Sequence, residues 1–104
     1  MLISVYYMNK KKHNNCPIAK VAILLSDPWT MLIIRDLLKK KMRFSDLLCS
    51  LDGISSRTLT QKIKQLESEG IITKKDNYYT ITKMGSGLEK IIKSMLLYGN
   101  KYYS

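Results

Sequence analysis

Residues 43–70 read RFSDLLCSLDGISSRTLTQKIKQLESEG, and this stretch contains two helical patterns separated by a turn. The first pattern predicts a short helix over residues 45–51, and Asp52-Gly53 supplies the turn because glycine accepts a positive φ. Ser55 is a suitable N-cap for a second helix of about residues 55–69, which a glycine then ends. Two helices joined in this way form a helix-turn-helix.

The next residues, 71–82, read IITKKDNYYTIT and predict a β-hairpin. The strands cover about residues 71–75 and 78–82, and Asp76-Asn77 between them tolerates positive φ at both turn positions. A hairpin directly after the second helix of a helix-turn-helix is a wing. We therefore predict a mainly α-helical (α+β) fold with one small β-hairpin, a winged helix-turn-helix.

Further helices are predicted on both sides of this centre. Pro17 begins the first helix, and Asp27-Pro28 caps and begins a second one of about residues 28–40. This second helix is apolar almost all round, which predicts a central buried helix anchored by Trp29. Thr82 caps a last helix of about residues 83–99.

The chain has 104 residues, which fits one domain, and we assign it to residues 16–104 with a basic arm at residues 1–15. Eighteen Lys and Arg residues against eight Asp and Glu give a formal net charge of +10, which favours a polyanionic partner such as nucleic acid. A generally lysine-rich composition is the alternative explanation. No apolar run is long enough to span a membrane, and the cysteine and histidine spacing predicts neither a metal site nor a cofactor.

The outer face of the second helix carries the groups that read base edges and phosphates in the major groove. At about 100° per residue, Leu59, Ile63 and Leu66 fall on the side that must face the core. The candidate DNA-binding residues are Ser55, Ser56, Arg57, Thr58, Thr60, Gln61, Lys62, Lys64 and Gln65. We expect Arg57, Thr58 and Gln61 to contact bases and Lys64 to contact phosphate, because recognition helices read from their N-terminal half. Taken alone, such a face is more often an ordinary solvated one. Its placement between the turn and the wing is what favours the DNA-binding interpretation.

Ser55, Ser56 and Lys62 belong to this set for reasons other than the outward face. Ser55 and Ser56 lie at a helix N-terminus, where free N–H groups attract a phosphate, although Ser55 also acts as the cap. Lys62 lies nearer the core side, and its long stem could extend the ammonium group out to a phosphate.

Residues beside the helix-turn-helix add further candidate contacts to the DNA backbone. The wing tip contributes Lys74, Lys75 and Asn77, whose positive charges favour phosphate without selecting sequence. Arg43 and Ser45 at the start of the first helix of the motif approach phosphate from the other side, although Arg43 is equally well explained as a surface charge.

Several strings in this order resemble the HxlR family of winged-helix regulators. They are Cys16–Ala19, Trp29-Thr30 with Leu32–Leu38, Arg43–Leu47, Gly53–Ser55, Leu59–Ile72, and Tyr79–Thr82 with Gly85. The resemblance covers about residues 16–99 and implies a homodimeric repressor or activator whose terminal helices build the dimer. The chain departs from the family pattern at Asp27-Pro28, at Ser56 and in a shorter wing tip, Lys74–Asn77.

The apolar stripe of the last helix agrees with a dimer interface, because a single small domain hardly needs so long a stripe for its own core. Two-fold dimers are the commonest assemblies and suit palindromic DNA sites. The candidate interface residues are Ile18, Val21, Leu88, Ile91, Ile92, Met95, Leu96 and Tyr98. The alternative is that the last helix only closes the monomer core.

Cys16 and Cys49 are candidates for a redox switch. Cys16 lies at a helix N-terminus next to a basic arm, and both features favour a reactive thiolate. The family resemblance permits such a switch at this position, and a disulfide between Cys16 of one subunit and Cys49 of the other is one hypothesis. The alternatives are a small, half-buried N-cap for Cys16 and a core or surface filler for Cys49.

The sequence predicts no enzyme, because one histidine and no nucleophile or phosphate-loop motif leave no catalytic constellation. The favoured function is a sequence-specific DNA-binding regulator that acts as a homodimer on a palindromic operator, in the cytoplasm and at the nucleoid. A sequence-neutral, chromatin-like DNA coat and a winged helix that docks another protein are the alternatives.

Overall fold

The computed structural model describes residues 16–104, and the predicted basic arm at residues 1–15 lies outside them. Within the described residues the chain forms six helices and two strands. They are α1 (Pro17–Leu24), α2 (Pro28–Lys39), α3 (Phe44–Ser50), α4 (Ser56–Ser68), β1 (Ile72–Lys75), β2 (Tyr78–Ile81), α5 (Lys83–Ser86) and α6 (Glu89–Tyr102). The predicted mainly helical fold with one hairpin is confirmed.

The helices begin where the sequence places capping side chains. The Thr30 amide donates to Asp27 Oδ2 at 3.0 Å, and the Thr58 amide donates to Ser55 Oγ at 3.0 Å. The same geometry recurs where Thr82 Oγ1 accepts from an amide at the start of α5. Each contact satisfies one of the N–H groups that a helix start leaves without a partner.

The end of α4 is a glycine C-cap. Gly70 has a φ of +79°, a left-handed conformation that costs glycine little. The Ile71 amide donates to the Leu66 carbonyl and the Gly70 amide donates to the Glu67 carbonyl, both at 3.0 Å. This Schellman pattern turns the chain sharply from the helix into the hairpin.

The hairpin has the predicted two-residue turn. Its strands are antiparallel, with Ile72 opposite Ile81 and Lys75 opposite Tyr78. Asp76 and Asn77 have φ values of +53° and +68°, as that turn requires. One feature was not predicted: Met42 pairs with Tyr79 through reciprocal backbone hydrogen bonds of 3.1 and 2.7 Å, so residue 42 extends the wing by a bridge on the free side of β2.

The core lies between α2, α4 and the hairpin. Ile33, Ile34 and Leu37 of α2 are buried, and Trp29 is half-buried and packs against the same cluster. A polar contact fixes α3 to α2 at the edge of this core, where Ser50 Oγ donates to Asp36 Oδ2 at 2.7 Å. Arg35 also binds the Asp36 carboxylate, so this buried acid is paired, which buried carboxylates require.

The prediction of one continuous helix over residues 83–99 was wrong. The chain forms the short α5, turns at Gly87 and Leu88, and then continues as α6 to Tyr102. The amides of Gly87 and Leu88 donate to carbonyls three residues earlier, a tighter pattern than that of an α-helix. The turn places Leu88 in the monomer core at 8% exposure.

Gly85 of α5 packs closely against the backbone of Ile71, the residue before β1. A Cβ at this position would lie 2.2 Å from the Ile71 carbonyl oxygen. We therefore expect Gly85→Ala to lower the free energy of unfolding by at least about 1–3 kcal/mol, since overpacking displaces backbone. The control is Gly99→Ala in α6, where a Cβ would meet nothing within 4 Å. This control should leave stability unchanged or raise it by up to about 1 kcal/mol, and equal melting temperatures for the two variants would contradict the prediction.

Among residues 16–104, no single helix has the length and hydropathy needed to cross a membrane. Only α1 and α2 taken together reach that length and hydropathy, and they are bent by 88° relative to each other. Within the same residues, no three His, Cys, Asp or Glu side chains are arranged to hold a metal ion.

Candidate nucleic-acid interface

The inner face of α4 fixes the helix against the core. Leu59, Ile63 and Leu66 are at most 2% exposed, as their spacing predicts. Full burial of each such side chain contributes about 1.5–3 kcal/mol. With that face anchored, the rotation of α4 about its own axis is set, and so is the identity of the residues that point outward.

The outward residues of α4 include Arg57, Gln61, Lys64 and Gln65, all of which are exposed. Neither Arg57 nor Lys64 forms an ion pair within the described residues. The guanidinium, the amides and the ammonium are therefore accessible on one surface.

The hydroxyls at the start of α4 are partly engaged in the helix itself. Ser55 Oγ donates to Thr58 Oγ1 at 3.0 Å, and Thr58 is half-buried. Thr60 Oγ1 donates to the Ser56 carbonyl at 2.8 Å. The Ser55 and Thr60 hydroxyls thus donate within the first turns of α4, while their oxygens keep acceptor capacity. The exposed Ser56 lies at the first position of α4.

Lys62 is directed away from the outer face. Its Nζ lies 3.3 Å from Asp27 Oδ1, and its side chain is 24% exposed. The suggestion that its stem carries the charge to a phosphate therefore does not agree with the structure, because the stem runs towards the start of α2. The pair instead ties α4 to α2.

A cleft of about 360 Å³ separates the start of α3 from the wing. Arg43, Ser45, Lys74 and Asn77 line it together, so the structure brings these four predicted residues to one place. Lys74 Nζ lies 5.5 Å from the centre of the Tyr79 ring, and Tyr79 belongs to the buried core. Lys75 is exposed and lies opposite Tyr78 on β2.

Lys41 and Tyr78 belong to this region and were missed in the sequence, whereas their neighbour Arg43 was a predicted candidate. Lys41 Nζ lies 4.6 Å and Arg43 Cζ lies 5.0 Å from the centre of the Tyr78 ring. Recognising residues 41–43 as extended chain would have placed Lys41 beside Arg43, because side chains on both sides of Met42 then point to one face.

The terminal helices carry an exposed apolar surface. No residue of α6 is buried, and Met95, Leu96 and Tyr98 are 52%, 61% and 60% exposed. A groove between α1 and α6 is lined by Pro17, Ile18, Val21, Ala22, Leu25 and Ile91. Of the other candidate interface residues, Ile92 packs against the core at partial burial, and the buried Leu88 does not belong to this surface.

Both cysteines are free thiols. Cys16 is half-buried and is the N-cap residue of α1, without a capping hydrogen bond from its side chain. Cys49 is exposed on α3. The structure thus agrees with a small N-cap at one position and a surface residue at the other.

A helix-turn-helix followed directly by a hairpin, with an accessible basic face on its second helix, defines a winged-helix protein of the DNA-binding class. The family model for HxlR-like helix-turn-helix proteins matches residues 24–104, so the chain belongs to that family. Its members and relatives are transcriptional regulators and not enzymes.

Two relatives and one solved structure illustrate the similarity. An uncharacterized HTH-type transcriptional regulator of Synechocystis sp., sll1512, is 35% identical over 95 residues, which is 84% of this chain and 70% of that protein. YvaP of Bacillus subtilis, also an uncharacterized HTH-type transcriptional regulator, is 34% identical over 86 residues, which is 74% of this chain and 79% of that protein. The crystal structure of quinone-bound YodB from B. subtilis superimposes with a TM-score of 0.78 at 27% identity, covering 84% of this chain and all of that one.

Proposed function

We propose that this regulator binds DNA sequence-specifically as a homodimer, with α4 in the major groove. The observation that carries the proposal is the outer face of α4, where Arg57, Gln61 and Lys64 are exposed while the opposite face is anchored in the core. Arginine and glutamine side chains make bidentate contacts with guanine and adenine, and lysine neutralises phosphate.

The exposed apolar residues of α1 and α6 support a dimer. Large hydrophobic side chains on adjoining elements mark an interface more often than a free surface. A dimer through terminal helices would present two copies of α4, and a two-fold axis would match a palindromic site with half-sites about one helical turn apart.

Under this proposal the protein acts in the cytoplasm, bound to the nucleoid. A fluorescent fusion that spreads evenly through DNA-free regions would contradict that location.

Selection from random double-stranded DNA tests the function directly. Enrichment of a palindromic motif is the expected result. Equal recovery of all sequences with a steep salt dependence would replace the proposal by a sequence-neutral DNA coat. Absence of DNA binding at low salt would replace it by a protein-docking role for the wing and α4.

We further propose that Cys16 responds to oxidants or electrophiles. Cys16 directly precedes α1, which lines the groove against α6, so a modification there would disturb the same surface that would form the dimer. The solved structure of YodB is described as quinone-bound. Quinones are electrophiles, and a thiolate is the nucleophile that attacks such compounds, which supports this proposal for Cys16.

Hydrogen peroxide would oxidise Cys16 of one subunit and Cys49 of the other to a disulfide, with two thiols losing two protons and two electrons and peroxide reduced to water. We expect a covalent dimer on a non-reducing gel, absent from both Cys16→Ser and Cys49→Ser. If the untreated and oxidised proteins both migrate as monomers, this pairing is wrong. A covalent dimer that persists in Cys49→Ser would instead indicate a Cys16–Cys16 bond.

A further inference from the structure

The outer face of the wing carries a cluster of cations arranged around one aromatic ring. Met42 pairs with Tyr79, and side chains alternate along an extended chain, so Lys41 and Arg43 point to the face opposite Met42. Tyr78 points to that same face from β2. Lys41 Nζ lies 4.6 Å and Arg43 Cζ lies 5.0 Å from the centre of its ring.

A third cation joins this face through the strand register. Lys75 lies directly opposite Tyr78, whereas its neighbour Lys74 lies opposite Tyr79 and contacts that ring on the core side of the sheet. The nearby acids are Asp46, whose Oδ2 accepts from the Arg43 amide at 2.9 Å, and Asp76 at the turn. Neither of them forms an ion pair with these three cations within residues 16–104.

The ring holds the cations without neutralising them. A cation over an aromatic face is attracted by the negative π surface, yet it keeps its full charge. The edge N–H groups of a stacked guanidinium remain free to donate, in the geometry that suits phosphate oxygens. Long side chains fixed in this way lose less conformational entropy when an anion binds.

We infer that Lys41, Arg43 and Lys75 around Tyr78 form a phosphate-binding surface that holds the DNA backbone beside the groove read by α4. Tyr78 is its positioning residue. Arg43 connects this surface to the cleft between α3 and the wing, since it lines that cleft as well. The inference rests on the proposed function, because it requires that DNA be bound through α4 and the wing.

The test measures the dependence of DNA affinity on salt concentration for four variants of the full chain. Lys41→Gln should lower the slope of log Kd against log salt by about one, because one fewer counterion is released. Lys93→Gln on α6 changes the net charge equally at a residue that is 71% exposed, and it should leave the slope unchanged. Tyr78→Leu should weaken binding by about two- to fivefold on operator and unrelated DNA alike, and Tyr78→Phe, which keeps the ring, should bind normally.

Two results would overturn the inference. Equal slopes for Lys41→Gln and Lys93→Gln would show that only net charge matters, and equal affinities of Tyr78→Leu and Tyr78→Phe would show that the ring positions nothing. If the unaltered protein still selects an operator in either case, the proposed function stands and only this surface is refuted. If the unaltered protein binds no DNA, both fail together. Tyr78 is half-buried at the surface, so a thermal melt of Tyr78→Leu verifies its fold independently.

Discussion

Arg57→Ala is expected to remove most of the discrimination between operator and unrelated DNA while the fold stays intact. Arg57 is exposed on the second residue of α4 and forms no ion pair within the described part of the chain. A bidentate arginine–guanine contact contributes about 1–3 kcal/mol of discrimination, which corresponds to about 5- to 150-fold in the ratio of the two dissociation constants. Titration of labelled operator and of a scrambled duplex at one salt concentration measures that ratio.

Lys64→Gln and Arg57→Lys are the matched controls. Lys64 lies two turns further along the same face and is assigned to phosphate, so its loss should weaken binding to both duplexes equally and lower the salt slope by about one. Arg57→Lys keeps the charge but loses the planar fork, and it should lose specificity almost as Arg57→Ala does. A loss of affinity that is the same for both duplexes in Arg57→Ala would assign this side chain to phosphate instead of a base.

The second large effect is expected for Met95→Asp, which should convert the protein to a monomer and abolish tight operator binding. Met95 is 52% exposed in the chain by itself and lies on the same side of α6 as Ile91 and Tyr98. A carboxylate there would have to be buried without a partner in the proposed interface. Loss of the second half-site should weaken operator binding by about 10²–10⁴-fold, because two linked contacts bind with high effective concentration.

Sedimentation and light scattering measure the oligomeric state, and Lys93→Asp provides the control. Lys93 lies about 160° around α6 from Met95 and is 71% exposed, next to Glu89. The Lys93→Asp substitution introduces the same carboxylate outside the proposed interface and should leave the dimer intact. If Met95→Asp stays dimeric with a normal melting temperature, the subunits associate through another surface.

Local chemistry made most of the fold predictable from the sequence. Asp27, Ser55 and Thr82 mark helix starts. The side-chain oxygen of each accepts a hydrogen bond from the amide three residues later, which would otherwise lack a partner, and this stabilises a helix that begins at that point. The turn at Asp76-Asn77 was predictable from the tolerance of these residues for positive φ. The buried residues of α4 were predictable from their helical spacing.

The break between α5 and α6 was missed because the apolar stripe of residues 84–96 continues across it, although Gly85 and Gly87 weaken a continuous helix there. The approach of Gly85 to Ile71 and the burial of Leu88 are tertiary contacts that the turn makes possible. A steric contact between segments distant in sequence leaves no periodic signal in either of them.

The sequence by itself thus determined the order of elements apart from the division of the last helix, together with the caps of α2, α4 and α5, the hairpin turn and the outward face of α4. Each of these depends on neighbours along the chain. Tertiary structure alone decided where the long cationic side chains go. Lys62 turns to Asp27, Lys74 turns to Tyr79, and Lys41 joins Arg43 over Tyr78. A lysine side chain is long and flexible, so its position depends on the anions and aromatic rings that the fold brings within reach, and no local pattern encodes these.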